Sequence, residues 1–366
     1  MYLFPKVKIL GTDLLGIGIQ AGMGALVSLP PIAAAAARRG WIGVVTSVGL
    51  DQANARSGER ISYQDATRLE VEKAILLSEG LGSIFVNCMA RVSTYEESVF
   101  GAVAGGARGF IVGAGLPLSL PGLVDKAKDR AGINHEIALL PIVSSVRALD
   151  IICRKWAQVG RKPDAVVLEG PLAGGHLGYS AAEIDDPAFS LEKIFPMVLE
   201  YANDHGFPVI VAGGIWDRPG IVRWLEAGAG GVQIGTRFLA THESSATDEF
   251  KRRVVAATAD DIIVAIDPGS PSGMPFRIIA DSAGYQKALK RVTTPKCKWG
   301  YLLHNGECMA LKSPRHFCIC DALLAAAGKN SDPESLPIFT VGTNAARVDR
   351  IMSVDELITE LTGYPV

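Results

Sequence analysis

Short apolar runs recur eight times along the chain, near residues 17–21, 41–46, 83–88, 109–113, 137–143, 165–169, 208–212 and 231–235. Each reads as a strand. Between them lie segments with helical spacing of apolar positions, at 31–39, 66–79, 94–105, 147–159, 191–204 and 217–227. That alternation builds a parallel sheet. Runs such as VVLEG at 166–170 and VIVAGG at 209–214 are almost continuously apolar, which implies burial on both faces and favours a closed barrel. The expected fold is α/β, a TIM (β/α)8 barrel, with a doubly wound open sheet as the structural alternative.

The pattern changes after Thr241. Gly, Pro and Ser cluster in DPGSPSGMPF at 267–276, and four of the six cysteines lie between 297 and 320. We expect the barrel at 1–245 and a smaller, mostly helical C-terminal lid domain covering the substrate at 246–338. The segment 339–366 is expected to pack back on the barrel through a helix capped by Ser353, with Glu356 three residues on. Alanine-rich patches at 33–37 and 322–327 read as close-packing helices.

With 366 residues, 48% of them hydrophobic, the chain can bury a large core. The formal net charge of -2, with no long basic block, gives no electrostatic case for nucleic acid or an anionic membrane as partner. A small-molecule substrate fits better. The amino-terminal stretch MYLFPKVKIL lacks an apolar core followed by a cleavage site, and no apolar run is long enough to span a bilayer. A cytoplasmic protein with reduced thiols is expected.

The stretch 209–239 repeats one device. Two apolar runs end on small residues, Ala212-Gly213-Gly214 and Gly235-Thr236, each followed by a segment able to start a helix. Small residues let backbone N–H groups approach an anion at a helix N-terminus, so these turns point to a bound phosphate group. In a barrel that site often follows strands 7 and 8. After the sixth strand comes Glu169-Gly170-Pro171-Leu172-Ala173-Gly174-Gly175-His176-Leu177-Gly178. His176 is the candidate catalytic residue, because an imidazole on a glycine-rich turn at the barrel mouth can exchange protons near neutral pH; the plainer alternative is a solvated loop histidine.

Gly22-Met23-Gly24 after the first strand could let a flat ring lie against the backbone, or simply form a tight turn with Met23 filling the core. Thr46-Ser47, Asn87 and Ser144-Ser145 add polar groups to the same rim, and residues 113–117 could border the substrate site or simply form a turn. Cys297, Cys308, Cys318 and Cys320, interleaved with His304 and His316, match metal-site spacing poorly, so free thiols and no metal are expected. Cys88 and Cys153 read as core positions. His135, His205 and His242 have no glycine-rich setting and read as surface or packing residues.

Taken together, Gln20 through Gly24, Glu169 through Gly178, residues 212–215, residues 235–238 and residues 341–347 resemble the nitronate monooxygenase family, whose close relatives are FMN-dependent enoyl-ACP reductases. The AGGHxG element at 173–178 is the most specific part, and the likeness runs over most of the chain. The resemblance implies a TIM barrel with FMN held non-covalently at its mouth. Gly22, Met23, Gly24 and Asn87 would then lie by the flavin ring, Glu169 would border it, and Gly174, Gly175, Gly213, Gly214, Gly235 and Thr236 would hold the phosphate. His176 matches the active-site histidine. The implied reaction is oxidation of alkyl nitronates by molecular oxygen to carbonyl compounds and nitrite; the alternative is NADH-dependent reduction of 2-enoyl thioesters or quinones. A homodimer is possible on either reading. Pro171-Leu172 departs from the acidic or small residues many relatives carry there, which leaves the substrate open.

Overall fold

The computed structural model describes residues 7–9, 12–14, 18–53, 61–291, 297–303, 306–330 and 332–363. Eight strands close into a barrel: β1 (Gly18–Gln20), β2 (Ile42–Thr46), β3 (Ser83–Met89), β4 (Gly109–Gly113), β5 (Ala138–Val143), β6 (Val166–Glu169), β7 (Val209–Ala212) and β8 (Gly231–Ile234). Every neighbouring pair is parallel, and β8 returns to β1. Closure excludes the open sheet. The strands match the expected runs to within a residue or two, because a buried parallel strand announces itself by continuous apolar composition.

Side-chain alternation splits those strands between two cores. Ile19, Ile42, Val44, Phe85, Ile111, Ala138, Leu140, Val167 and Ile210 fill the barrel interior, where Ile9 of a preceding hairpin joins them. Val45, Val86, Phe110, Leu139, Leu168, Val209 and Val232 face outwards against the helices. Those helices are α1 (Pro30–Arg38), α2 (Tyr63–Leu77), α3 (Tyr95–Ala104), α4 (Leu120–Ala131), α5 (Val146–Ala157), α6 (Leu191–His205) and α7 (Arg218–Glu226). Six were expected. The seventh, α4, was not, since Pro121 and Gly122 blur its first turn and five charged residues follow.

Beyond β8 the chain leaves the barrel and forms α8 (Asp248–Ala256), the strands β9 (Ile262–Ala265) and β10 (Phe276–Ile279), α9 (Ala283–Leu289) and α10 (Ile319–Ala326). Helices carry most of its regular structure. The antiparallel β9–β10 ribbon was not anticipated, because its four-residue runs are too short to stand out beside a Gly- and Pro-rich loop. The last helix, α11 (Val354–Thr362), begins with the Ser353–Glu356 capping box and lies against both α1 and α7. It buries Leu357, Ile358 and Leu361. It therefore completes the outer ring of helices, and the segment that follows β8 is inserted ahead of the helix that closes that ring. No helix among the described residues is long and apolar enough to cross a membrane.

Close approach of α1 to β2 depends on small residues. A Cβ placed on Gly43 would lie 1.9 Å from the carbonyl oxygen of Ala33. Gly43→Ala is expected to lower stability by about 1–3 kcal/mol through overpacking, whereas Gly122→Ala, whose Cβ would meet nothing within 4 Å, should be neutral or slightly stabilising. Equal thermal melting of the two variants would contradict this packing.

Candidate active site

The carboxyl ends of the strands open onto a cavity of about 890 Å3, within the size range of small-molecule sites. Every site residue expected from the sequence lines it: Gly22, Met23 and Gly24 after β1, Asn87 on β3, Glu169 at the end of β6, Gly174, Gly175 and His176 beyond it, Gly213 and Gly214 after β7, and Gly235 and Thr236 after β8. Thr46, Ser144, Ser145 and residues 113–116 join the same wall. Ser47 and Pro117 do not; the Pro117 carbonyl instead accepts a hydrogen bond from the Trp156 indole at 3.0 Å.

The glycines are explained by what their backbones touch. Gly213 and Gly214 both have left-handed φ angles, 86° and 85°, a pairing that side chains other than glycine's rarely tolerate. A Cβ on Gly174 would sit 2.5 Å from the Val341 backbone, and one on Gly22 would sit 2.2 Å from Cβ of Asn87. Four segments thus meet with no room for side chains. The Gly342 N–H donates to Oγ1 of Thr236 at 3.0 Å, the Thr343 N–H to the Leu172 carbonyl at 3.2 Å, and the Asn344 amide to the Gly214 carbonyl at 2.8 Å. Among the described residues, the N–H groups of Gly214 and Gly235 have no backbone acceptor. Such a cradle of free donors suits an anion.

His176 is held from the lid side. Gly175–His176 forms a two-residue strand antiparallel to β10, with His176 opposite Phe276 and Gly175 opposite Arg277. The Leu177 N–H donates to the Pro275 carbonyl at 2.9 Å. The buried Arg277 guanidinium donates from Nη1 to the carbonyls of Pro171 and Ala173, each at 2.6 Å. The imidazole leans on the Phe276 ring, 4.7 Å between centroids, and its Nε2 lies 2.8 Å from Oγ of Ser270.

Burial, aided by the positive charge of Arg91, pushes the His176 imidazole down to about 4. Burial alone pushes the Glu169 carboxyl up to about 7. At neutral pH the ring is therefore uncharged, while the carboxyl holds its proton to well above the ordinary carboxylate range. Two titratable groups on one cavity wall, displaced in opposite senses, are a mark of acid–base or polar catalysis. Nearby, Tyr179 donates to the Glu169 carbonyl at 2.8 Å and Ser144 donates to the Gly178 carbonyl at 2.6 Å.

Sequence reasoning missed several groups. Gln233 on β8 is buried, lines the cavity and leaves its Oε1 without a protein partner. Its alternation signal marked it only as one polar residue in an apolar strand. Trp216 lies at the cavity edge between the guanidinium groups of Arg237 and Arg347, at 4.4 and 4.7 Å. Ser270, Arg91 and Arg277 lie on segments where no periodicity singled them out.

The lid cysteines are free thiols in the structure. Cys297 lies within hydrogen-bonding range of Cys308, and burial pushes the Cys318 and Cys320 thiols up, to about 12 and about 11. Among the described residues no group of three or more His, Cys, Asp or Glu side chains could hold a metal ion. His304 lies outside the described residues.

Comparison with known proteins agrees with this architecture. A curated relative, the (3aS,4S,5R,7aS)-5-hydroxy-7a-methyl-1-oxo-octahydro-1H-indene-4-carboxyl-CoA dehydrogenase of Mycobacterium tuberculosis, is 37% identical over 220 residues, 54% of this chain and 58% of that one. The nitronate monooxygenase of Pseudomonas aeruginosa is 37% identical over 122 residues, 33% of this chain and 34% of that one. The chain thus spans about half the length, or less, of the curated relatives it matches. Among solved structures, nitroalkane oxidase from Streptomyces ansochromogenes superimposes with a TM-score of 0.68 at 20% identity, covering 96% of each chain. FabK from Thermotoga maritima gives 0.64 at 23%, covering 98% of this chain and 96% of that one. Those two likenesses speak for the fold. A family model described as nitronate monooxygenase matches residues 104–363, and on that match the chain belongs to the nitronate monooxygenase family.

Proposed function

We propose that this chain is an FMN-dependent oxidoreductase that oxidises alkyl nitronates with molecular oxygen to carbonyl compounds and nitrite. The observation that carries the reading is the convergence of the glycine turns and an uncharged His176 on a single cavity. The donor set fits the cofactor: unpaired N–H groups at Gly214 and Gly235 suit a phosphate, and the unpartnered Oε1 of Gln233 suits an N–H of a flavin ring. Gly174, Gly175, Gly213, Gly214, Gly235 and Thr236 would hold the phosphate end. Gly22, Met23, Gly24 and Asn87 would flank the ring, with Glu169 and Gln233 at its polar edge. Bound there, FMN would supply the redox chemistry between nitronate and oxygen.

The protein's own residues then bind and orient. A nitronate already carries the negative charge that a base would otherwise create, so His176 needs only to meet the reacting group as a neutral polar contact. Arg91, on the same cavity wall, favours an anionic substrate. Ser270, Met274 and Phe276 line the cavity on the side of the histidine.

A second reading has its own support. The 220-residue match to a CoA-ester dehydrogenase covers more of this chain than the nitronate monooxygenase match does. That match favours an acyl thioester in the cavity; the reaction the resemblance implies there, reduction of a 2-enoyl thioester, would draw its hydride from NADH through FMN. Small molecules are the partners in both, and a homodimer is compatible with either.

Oxygen uptake and nitrite release with propyl 2-nitronate test the proposal. His176→Ala should keep its flavin and lose turnover by about 10²–10³-fold, the usual loss for one preorganised donor; unchanged turnover would remove His176 from the chemistry. Gly214→Val should be isolated with reduced flavin content, because its Cβ would lie 3.0 Å from the Leu172 side chain at a left-handed φ; full occupancy would contradict the phosphate assignment. In the flavin-free protein, the folded Glu169 carboxyl stays protonated up to about 7, against an ordinary value of 4.5. The folded state binds more protons across that window, so Glu169 makes stability fall as pH rises from about 4.5 to 7. Glu169→Gln should flatten that part of the melting-temperature profile, and superimposable profiles would refute it.

A further inference from the structure

We propose that His316 is a second substrate-binding histidine, which hydrogen-bonds a polar group of the substrate other than the one His176 meets. The substrate the cavity is built for then carries two such groups, and a plain alkyl chain leaves one of the two rings without its partner. This rests on the reading that the cavity takes the substrate.

Of the described histidines only His176 and His316 line the cavity. They reach it from different parts of the chain, His176 from the loop after β6 and His316 from the stretch that leads into α10. One dipeptide lies between them. Gly269 bridges to His316 in parallel register, and its neighbour Ser270 places Oγ 2.8 Å from Nε2 of His176. The Gly269 N–H donates to the Arg315 carbonyl at 2.9 Å, and the Gly269 carbonyl accepts the Phe317 N–H at 3.1 Å, so backbone bonds hold His316 on both sides. A Cβ on Gly269 would lie 2.3 Å from the Ile266 carbonyl oxygen, which keeps that backbone close and its position fixed.

The direction of the ring follows from its neighbour. Phe317 is 4% exposed and packs on Phe276 and Tyr285, at 6.0 and 6.3 Å between centroids. In an extended stretch successive side chains take opposite faces, so with Phe317 in the core His316 is turned to the cavity wall. Its Nδ1 is buried there and has no hydrogen-bond partner among the described residues. Bulk water does not serve that nitrogen, and a buried polar atom left unpaired on a cavity wall calls for a bound group. The torsion about the Cβ–Cγ bond of histidine is broad, so a modest turn of the ring aims Nδ1 at a ligand lodged beside it. Other contributions of the segment after β8 to the lining include Ile266, Met274, Phe276 and Leu323, all apolar. In a mostly apolar pocket a few placed polar atoms decide which ligands are held.

The test has a binding arm and a kinetic arm. For binding, protein labelled with 15N at histidine is followed by NMR, with the His316 signals assigned by their loss in His316→Phe. The probes are alkanoates of three to six carbons and their ω-hydroxy counterparts, whose carboxylate is an unreactive planar stand-in for a nitronate. The expected result is that at least one hydroxylated probe moves the His316 nitrogens and its plain partner does not. For kinetics, the ω-hydroxyalkyl 1-nitronate of that length should exceed the plain nitronate in kcat/KM by about 10–10²-fold, chiefly through KM. His316→Phe should abolish the preference, and His316→Asn, whose amide can stand in for Nδ1, should keep most of it. His316 signals unmoved throughout the series, or a preference that survives in His316→Phe, would overturn the inference. Nitronate turnover with His316 unmoved would sink this inference and leave the proposed activity standing; a hydroxylated probe that moves His316 in a protein that oxidises no nitronate would do the reverse.

Discussion

A glycine-rich loop cannot hold a side chain in place by itself, because its backbone samples too many conformations. Here the loop bearing His176 is fixed by being drafted into another element's sheet. Gly175–His176 pairs with β10 of the lid, and the buried Arg277 from that same strand donates to two carbonyls of the loop. Hydrogen bonds from a charged donor are worth about 1.5–3 kcal/mol each, and an unmet buried carbonyl costs a similar amount. Two segments far apart in sequence are thereby joined at His176, and the position of its imidazole against Phe276 follows from that junction.

The barrel supplies the other half. Parallel strands aim all their carboxyl ends at one mouth, so eight loops converge whatever their sequences. Residues 341–344, just before the helix that closes the ring, complete the cradle opposite Gly174 and Thr236. The segment inserted between β8 and α11 adds Ser270, Met274 and Phe276 to the cavity lining before the chain returns to finish the ring.

Much of this was legible in the sequence, for a physical reason. Strands buried on both faces are continuous apolar runs, and a backbone that must approach another backbone needs glycine, so the barrel strands and the turns at Gly174, Gly213 and Gly235 were visible one by one. The lid was harder. Its ribbon strands are four residues long, and its main contributions to the site are single residues whose meaning is spatial: Ser270 lies 94 positions from His176, and Arg277 lies 106 from Pro171. Gln233 hid inside an apolar strand, where one polar residue reads as noise until its orphaned oxygen is seen at the cavity wall.

We propose that this cavity holds a flavin able to take electrons from a nitronate. The most direct test is the visible spectrum of the purified protein supplied with FMN, followed without oxygen as propyl 2-nitronate is added, with NADH added to a parallel sample. The expected result is a yellow protein whose flavin absorbance falls with nitronate, returns on admitting air and is indifferent to NADH. A protein that takes up no FMN, or one whose bound flavin ignores nitronate and is bleached by NADH, would contradict it.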